Sequence, residues 1–122
     1  MFEVAVVMDF SAAHNLRGYK GKCEDLHGHN WKVEVTLKAS RTDKIGMVED
    51  FGAIRACLEA VLDILDHKYL NDLAPFKKVN PTSENIAQWI FRQMARKVRR
   101  GLEVVRVKVW ETEKSSASYF EP

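Results

Sequence analysis

The chain opens on an alternating stretch. From Phe2 to Phe10 the even positions Phe2, Val4, Val6 and Met8 are apolar, while the odd positions mix Glu3 and Asp9 with Ala5 and Val7. A period of two with one dry face predicts a strand. Residues 15–25 break the pattern. They hold Gly18, Gly21, Arg17, Lys20 and Lys22 and no apolar run, so they read as a loop. From about His27 to Ala39 the alternation returns: Trp31, Val33, Val35 and Leu37 on one side, Lys32, Glu34, Thr36 and Lys38 on the other. The two runs predict an antiparallel hairpin. Residues 40–46 read as a turn, and Met47 and Val48 as the start of a short strand.

The period then changes. Asp50 is placed to cap a helix from Phe51 to about Leu65, with Phe51, Ile54, Leu58, Val61, Leu62 and Leu65 on one stripe. Residues 70–78 are irregular around Pro75. Asn80-Pro81-Thr82-Ser83-Glu84 marks a second helix start, with Thr82 or Ser83 as cap and Glu84 where the dipole favours a negative charge. That helix carries Ile86, Ile90, Met94 and Val98 in register to about Arg100, and Gly101 ends it. A last strand spans residues 103–113, where Val105, Val107 and Val109 alternate with Arg106, Lys108 and Trp110. Helices grouped between strands predict an α+β fold, a four-stranded antiparallel sheet with two helices packed on one face. The polar sheet face and two open edges also suit closure of several sheets into a shared barrel.

At 122 residues the expectation is one domain, residues 1–122, with one core. A net charge of +2 is too weak to argue for nucleic acid, and leaves anionic small molecules open. The basic run Arg96, Lys97, Arg99 and Arg100 lacks interleaved aromatics and reads as a solvated helix end. Two cysteines are no disulfide framework. Cys57 reads as a buried thiol, and both cysteines are expected to be reduced in the cytoplasm. Neither a secretory leader nor a membrane span is apparent.

The candidate chemistry gathers near the front. His14, Cys23, His27 and His29 include three of the four histidines. His27 and His29 point the same way from one strand, and His14 ends its partner, so the three can meet across the hairpin. Imidazoles in a group of three are natural zinc ligands, with a fourth position left open in catalytic sites. Cys23 reads as a fourth ligand, as a nearby thiolate base or nucleophile, or as an idle loop cysteine. Asp66-His67 is either a helix-end histidine complementing the dipole or an oriented acid–base pair. Glu111 continues the valine row of the last strand. It either frays into solvent or binds an amidine-like group through paired N–H donors.

Six segments together carry a resemblance: Phe10-Ser11-Ala12-Ala13-His14, Cys23-Glu24-Asp25-Leu26-His27-Gly28-His29-Asn30, Glu49-Asp50-Phe51, Leu65-Asp66-His67-Lys68-Tyr69-Leu70-Asn71, Pro81-Thr82-Ser83-Glu84-Asn85 and Trp110-Glu111-Thr112. In this order the chain resembles the 6-pyruvoyl-tetrahydropterin synthase family, most like its bacterial 6-carboxy-tetrahydropterin synthase branch. The resemblance implies a tunnelling fold, a homohexamer built as a dimer of trimers, and active sites between subunits. It implies zinc on His14, His27 and His29, Cys23 as the proton-abstracting thiolate, and Asp66 with His67 as its partner. It also implies Glu111 as anchor of a pterin ring, with Thr82 and Ser83 nearby.

The implied substrate is 7,8-dihydroneopterin triphosphate. The implied reaction is a lyase cleavage of its side chain to 6-carboxy-tetrahydropterin, acetaldehyde and triphosphate, in 7-deazaguanine and queuosine synthesis. Arg17, Lys20 and Lys22 are candidates for the triphosphate. Two alternatives stand beside this. One is pyruvoyl-forming triphosphate elimination. The other is a small zinc-stabilised interaction module with Cys23 as fourth ligand. No nucleic-acid or membrane partner is expected.

Overall fold

The computed structural model describes residues 1–18 and 25–122. Among the described residues the strands and α-helices are β1 (Phe2–His14), β2 (His27–Ala39), α1 (Phe51–Leu62), β3 (Lys68–Tyr69), α2 (Ser83–Lys97), β4 (Glu103–Thr112) and β5 (Ser115–Tyr119), with two single-turn 3-10 helices, Leu70–Asp72 and Ala74–Phe76, between β3 and α2. The strands build one sheet in the order β3-β1-β2-β4-β5. The long pairings β1–β2, β2–β4 and β4–β5 are antiparallel, and the two-residue β3 runs parallel to β1. The fold is the expected α+β tunnelling type with two helices on a central antiparallel sheet. The sheet has five strands rather than four. Met47 and Val48 form no strand, because Arg99 holds that stretch from the side, donating to the Val48 carbonyl at 2.6 Å and the Glu49 carboxylate at 3.0 Å. The two added strands are short and polar. Ser115–Tyr119 lacks an apolar alternation, so only its pairing with β4 reveals it.

The β1–β2 hairpin is in perfect register from Phe2↔Ala39 to His14↔His27. Its core face carries Val6, Phe10, Trp31, Val33, Val35 and Leu37, all essentially excluded from water. The helices cover this face through Ile54, Leu58, Val61 and Leu62 of α1 and Ile86, Ala87, Ile90, Phe91 and Met94 of α2. Phe51, at the start of the expected stripe, is exposed instead. α1 stops at Leu62, three residues short of the expected end, and hydrogen-bonded turns carry the chain on so that Leu65 is still fully buried. Asp50 caps α1 and Thr82 caps α2, each side chain accepting a backbone N–H of the first turn.

Two irregularities in β4 set the far end of the sheet. Between Thr36↔Arg106 and Leu37↔Val104 the register slips, leaving Val105 as the extra residue, so Val104 rather than Val105 fills the core. A second slip between Trp110↔Ser116 and Thr112↔Ser115 makes Glu111 the extra residue opposite β5. Bulges re-aim side chains, and this one lies at the metal-ligand end of β2. No helix among the described residues is long and apolar enough to cross a membrane.

Candidate metal centre and its surroundings

His14 and His27 face each other as the last pair of the β1–β2 ladder, and His29 pairs with Ala12 one step inward on the same face. Trp31 forms the floor. It is wholly buried, stacks on Phe10, meets His14 and His29 edge-on at centroid distances of 4.9 Å and 5.3 Å, and donates its indole N–H to the Ala12 carbonyl. Two backbone carbonyls settle the ring tautomers. His14 Nδ1 lies 2.8 Å from Pro81 O, and His27 Nδ1 lies 2.7 Å from Asp25 O. A carbonyl only accepts, so each Nδ1 carries the proton and each neutral ring presents a bare Nε2.

Those bare nitrogens converge. His14 Nε2 and His27 Nε2 are 3.0 Å apart. Glu111 Oε1 lies 2.8 Å from His29 Nε2, 3.5 Å from His14 Nε2 and 3.8 Å from His27 Nε2. Despite that short approach, His29 Nε2 is buried without an aligned hydrogen bond. Burial pushes the pKa of His14 and of His29 below the ordinary imidazole value of 6.5. Lone pairs facing one another at hydrogen-bond distance, a buried nitrogen with no donor or acceptor in line, and an adjacent carboxylate all fit a cation at the centre. The four donor atoms lie within 4.8 Å of one another, a His₃–Glu cluster that can hold a metal ion.

Glu111 joining this cluster is the feature that sequence reasoning missed. Its parity with Val107 and Val109 was the available signal, since that row faces the core and ends beside the histidines. The carbonyls of Asp25 and Pro81, which fix the tautomers, carry no side-chain signature and could not be read from residue types.

The Asp66–His67 pair sits at the other edge of β1. Asp66 Oδ1 accepts the Ser11 N–H at 2.9 Å, and its Oδ2 lies 2.9 Å from His67 Nδ1. The Ser11 N–H, with help from His67, holds the Asp66 carboxyl below the usual carboxylate range. His67 N–H donates to Ser11 O at 2.6 Å, and its φ of 58° is left-handed, an unusual state for a side chain of this size. α1 has already ended at Leu62, so the helix-dipole account of His67 does not apply. Its ring is 79% exposed and borders a groove of about 550 Å³ that runs along Ser11–Ala13, Gly28–Asn30, Lys68 and Tyr69. Ser11, Ala13, Gly28 and Asn30 have the parity opposite to His14, His27 and His29, while His29 itself borders the groove from the other parity. Within one chain the groove beside the pair therefore lies mainly on the sheet face away from the trio.

Thr82 is engaged as the α2 cap, and Ser83 is buried in the first turn. The Arg17 guanidinium donates to the carbonyls of Phe76 and Asn71 at 2.9 Å and 3.2 Å. Cys23, Lys20 and Lys22 lie outside the described residues. Cys57 is a free thiol, half-buried rather than fully buried, facing the Lys97 carbonyl.

On this tunnelling fold, a three-histidine cluster at the mouth of a hairpin, floored by tryptophan and flanked by a carboxylate, is able to hold a metal ion. The sequence profile of the 6-pyruvoyl tetrahydropterin synthase family matches residues 3–122, and the chain belongs to that family. A 6-carboxy-5,6,7,8-tetrahydropterin synthase from Synechocystis sp. is 41% identical over 118 residues, covering 93% of this chain and 88% of the relative. A 6-pyruvoyl tetrahydrobiopterin synthase from Poecilia reticulata is 35% identical over 127 residues, covering 93% and 86%. The solved structure of Caenorhabditis elegans 6-pyruvoyl tetrahydropterin synthase superposes with a TM-score of 0.89 at 30% identity, covering 99% of this chain and 96% of that one.

Proposed function

We propose that this enzyme converts 7,8-dihydroneopterin triphosphate to 6-carboxy-5,6,7,8-tetrahydropterin, releasing acetaldehyde and triphosphate, with zinc held by His14, His27 and His29. The observation that carries the reading is the convergence of three imidazoles whose outward nitrogens are kept bare by backbone carbonyls. A bound zinc ion would supply Lewis acidity to the side-chain oxygens of the substrate. The remaining work falls to the chain. Cys23, as thiolate, takes a proton from a side-chain carbon. His67, oriented by Asp66, receives and returns protons. Glu111 accepts the paired N–H groups of the aminopyrimidone ring through its carboxylate. Thr82 and Ser83 border the ring. Lys20 and Lys22 meet the triphosphate, whereas the guanidinium of Arg17 is taken up by carbonyls and acts on the phosphates at most indirectly.

The groove beside Asp66–His67 lies mainly on the sheet face away from the trio, and we read a complete site as drawing His67 from a second copy, within a hexamer built as a dimer of trimers. The choice of product rests on the greater likeness to a carboxy-forming relative. Incubation of the zinc-loaded protein with dihydroneopterin triphosphate, followed by mass analysis of the pterin and an acetaldehyde assay, tests it. Carboxy-tetrahydropterin with acetaldehyde is expected. A pyruvoyl product without acetaldehyde would transfer the chain to the other branch, and no release of triphosphate would overturn both. Cys23→Ala should keep its zinc and lose turnover; loss of zinc in that variant would favour a closed structural site instead.

A further inference from the structure

Between the end of β1 and the start of α2 lies a set of amide side chains that the proposed chemistry leaves unused. Asn80 pairs with the backbone of Arg17 as a neighbouring strand would. Arg17 N–H donates to Asn80 Oδ1 at 2.9 Å, and Asn80 Nδ2 donates to the Arg17 carbonyl at 2.9 Å. Buried Asn71 does the same two residues earlier. It accepts from Asn15 N–H at 3.0 Å and donates to the Asn15 carbonyl at 2.9 Å. Asn85, in the first turn of α2, donates to the Asn80 carbonyl at 2.8 Å. The residue after Asn80 is Pro81, whose carbonyl receives the His14 Nδ1–H.

We propose that Asn80 is a positioning residue for the metal ion: its two-bond grip on Arg17 holds the Pro81 carbonyl against His14 and thereby fixes which His14 nitrogen faces the ion, and at what angle. The proposal rests on the reading that the trio binds a metal. Residues 78–81 lie in no helix or strand, and Pro81 has no N–H with which to anchor itself. The position of its carbonyl is therefore set by its neighbours: Asn80 before it, gripping β1's extension, and Thr82 after it, capping α2. The amide side chain is suited to this because it presents a donor and an acceptor side by side, matching one residue's C=O and N–H.

His14 is 1% exposed, so no water replaces a lost partner. If the carbonyl withdraws, the imidazole either leaves its Nδ1–H unsatisfied or moves the proton to Nε2, where it blocks the ion. Partners of ligating histidines typically tune metal affinity by about 10- to 100-fold.

Cobalt(II) replaces zinc and reports its ligand geometry through visible absorption, so affinity and spectrum are read without turnover. Asn80→Ala removes both bonds. Asn80→Asp keeps the acceptor for Arg17 N–H and removes the donor to its carbonyl. The alanine variant is expected to bind cobalt roughly ten-fold or more weakly, with a changed ligand-field spectrum, while the metal-free protein keeps its circular dichroism. The aspartate variant should fall between alanine and wild type, and it carries the test alone if alanine prevents folding. Wild-type protein that takes up no cobalt would overturn the metal reading and this inference with it. Wild-type uptake with unchanged affinity and spectrum in the folded variants would overturn the inference alone.

Discussion

At the scale of single residues, the site is decided by protons as much as by positions. His14 and His27 each give their Nδ1 proton to a carbonyl, which leaves Nε2 free. Burial adds a bias toward the neutral form at His14 and His29, the form a metal needs. The sign of the resulting pH dependence follows. The unfolded chain binds protons on these imidazoles below their ordinary pKa of 6.5, whereas the folded chain resists them until a lower pH. The metal-free protein should therefore lose stability as the pH falls from about 7 to about 5, and these groups should contribute no further change above about pH 7. Urea midpoints across that range check it; a flat profile would contradict the burial argument. Glu111 is the other residue with a sharp expectation. Glu111→Gln keeps the size but cannot stay anionic toward paired N–H donors. Losing a hydrogen bond to a charged group costs about 1.5–3 kcal/mol, so KM for the pterin should rise roughly ten- to a hundred-fold. An unchanged KM in steady-state kinetics would remove Glu111 from the ring-binding role.

At the scale of elements, three ends matter more than three middles. The end of β1 delivers His14, the second bulge of β4 frees Glu111, and the start of α2 delivers Thr82 and the Pro81 carbonyl. Thr82→Ala removes the cap of α2, which should cost about 1 kcal/mol in a chemical-denaturation series. If Thr82 also borders the substrate, KM should worsen beyond that stability loss. Leu58→Ala in α1, at a position with no exposed surface, should cost about 2–5 kcal/mol and leave metal binding by the folded fraction intact. The two bulges explain why alternation was a fair guide to β4 and yet placed Val105 in the core in place of Val104. A period of two holds only between bulges, and a bulge shifts everything beyond it by one.

At the scale of the whole molecule, the placement of the Asp66–His67 groove mainly on the sheet face away from the trio turns the oligomer into a functional question. If sites form between copies, His27→Ala and His67→Ala subunits should each be inactive alone and complement each other when co-assembled. Random mixing in equal amounts should restore on the order of a quarter of wild-type activity, since each site then needs one intact contributor of each kind. No recovery in the co-assembled mixture would place both groups in one chain's site.

The hairpin, both helices and the histidine trio were legible in the chain because strong periodicity and a clustered residue type leave local marks. Strands β3 and β5 were not, because two or five polar residues become a strand only when a neighbour supplies the ladder. The same division runs through the site. Sequence alone determined which side chains could ligate a metal, since parity along a strand puts His27 and His29 on one face whatever the rest of the chain does. Only the tertiary structure decided that Glu111 would stand among them, which imidazole nitrogens would be bare, and that Asp66 and His67 would be held at the edge of β1 through Ser11. The carbonyl on His14 comes from Pro81, 67 positions on, and the backbone that holds Asp66 comes from Ser11, 55 positions back, so packing fixes them. The Asp25 carbonyl on His27 and the bulge opposite Ser115 are near in sequence, but backbone groups and bulges carry no residue-type signature.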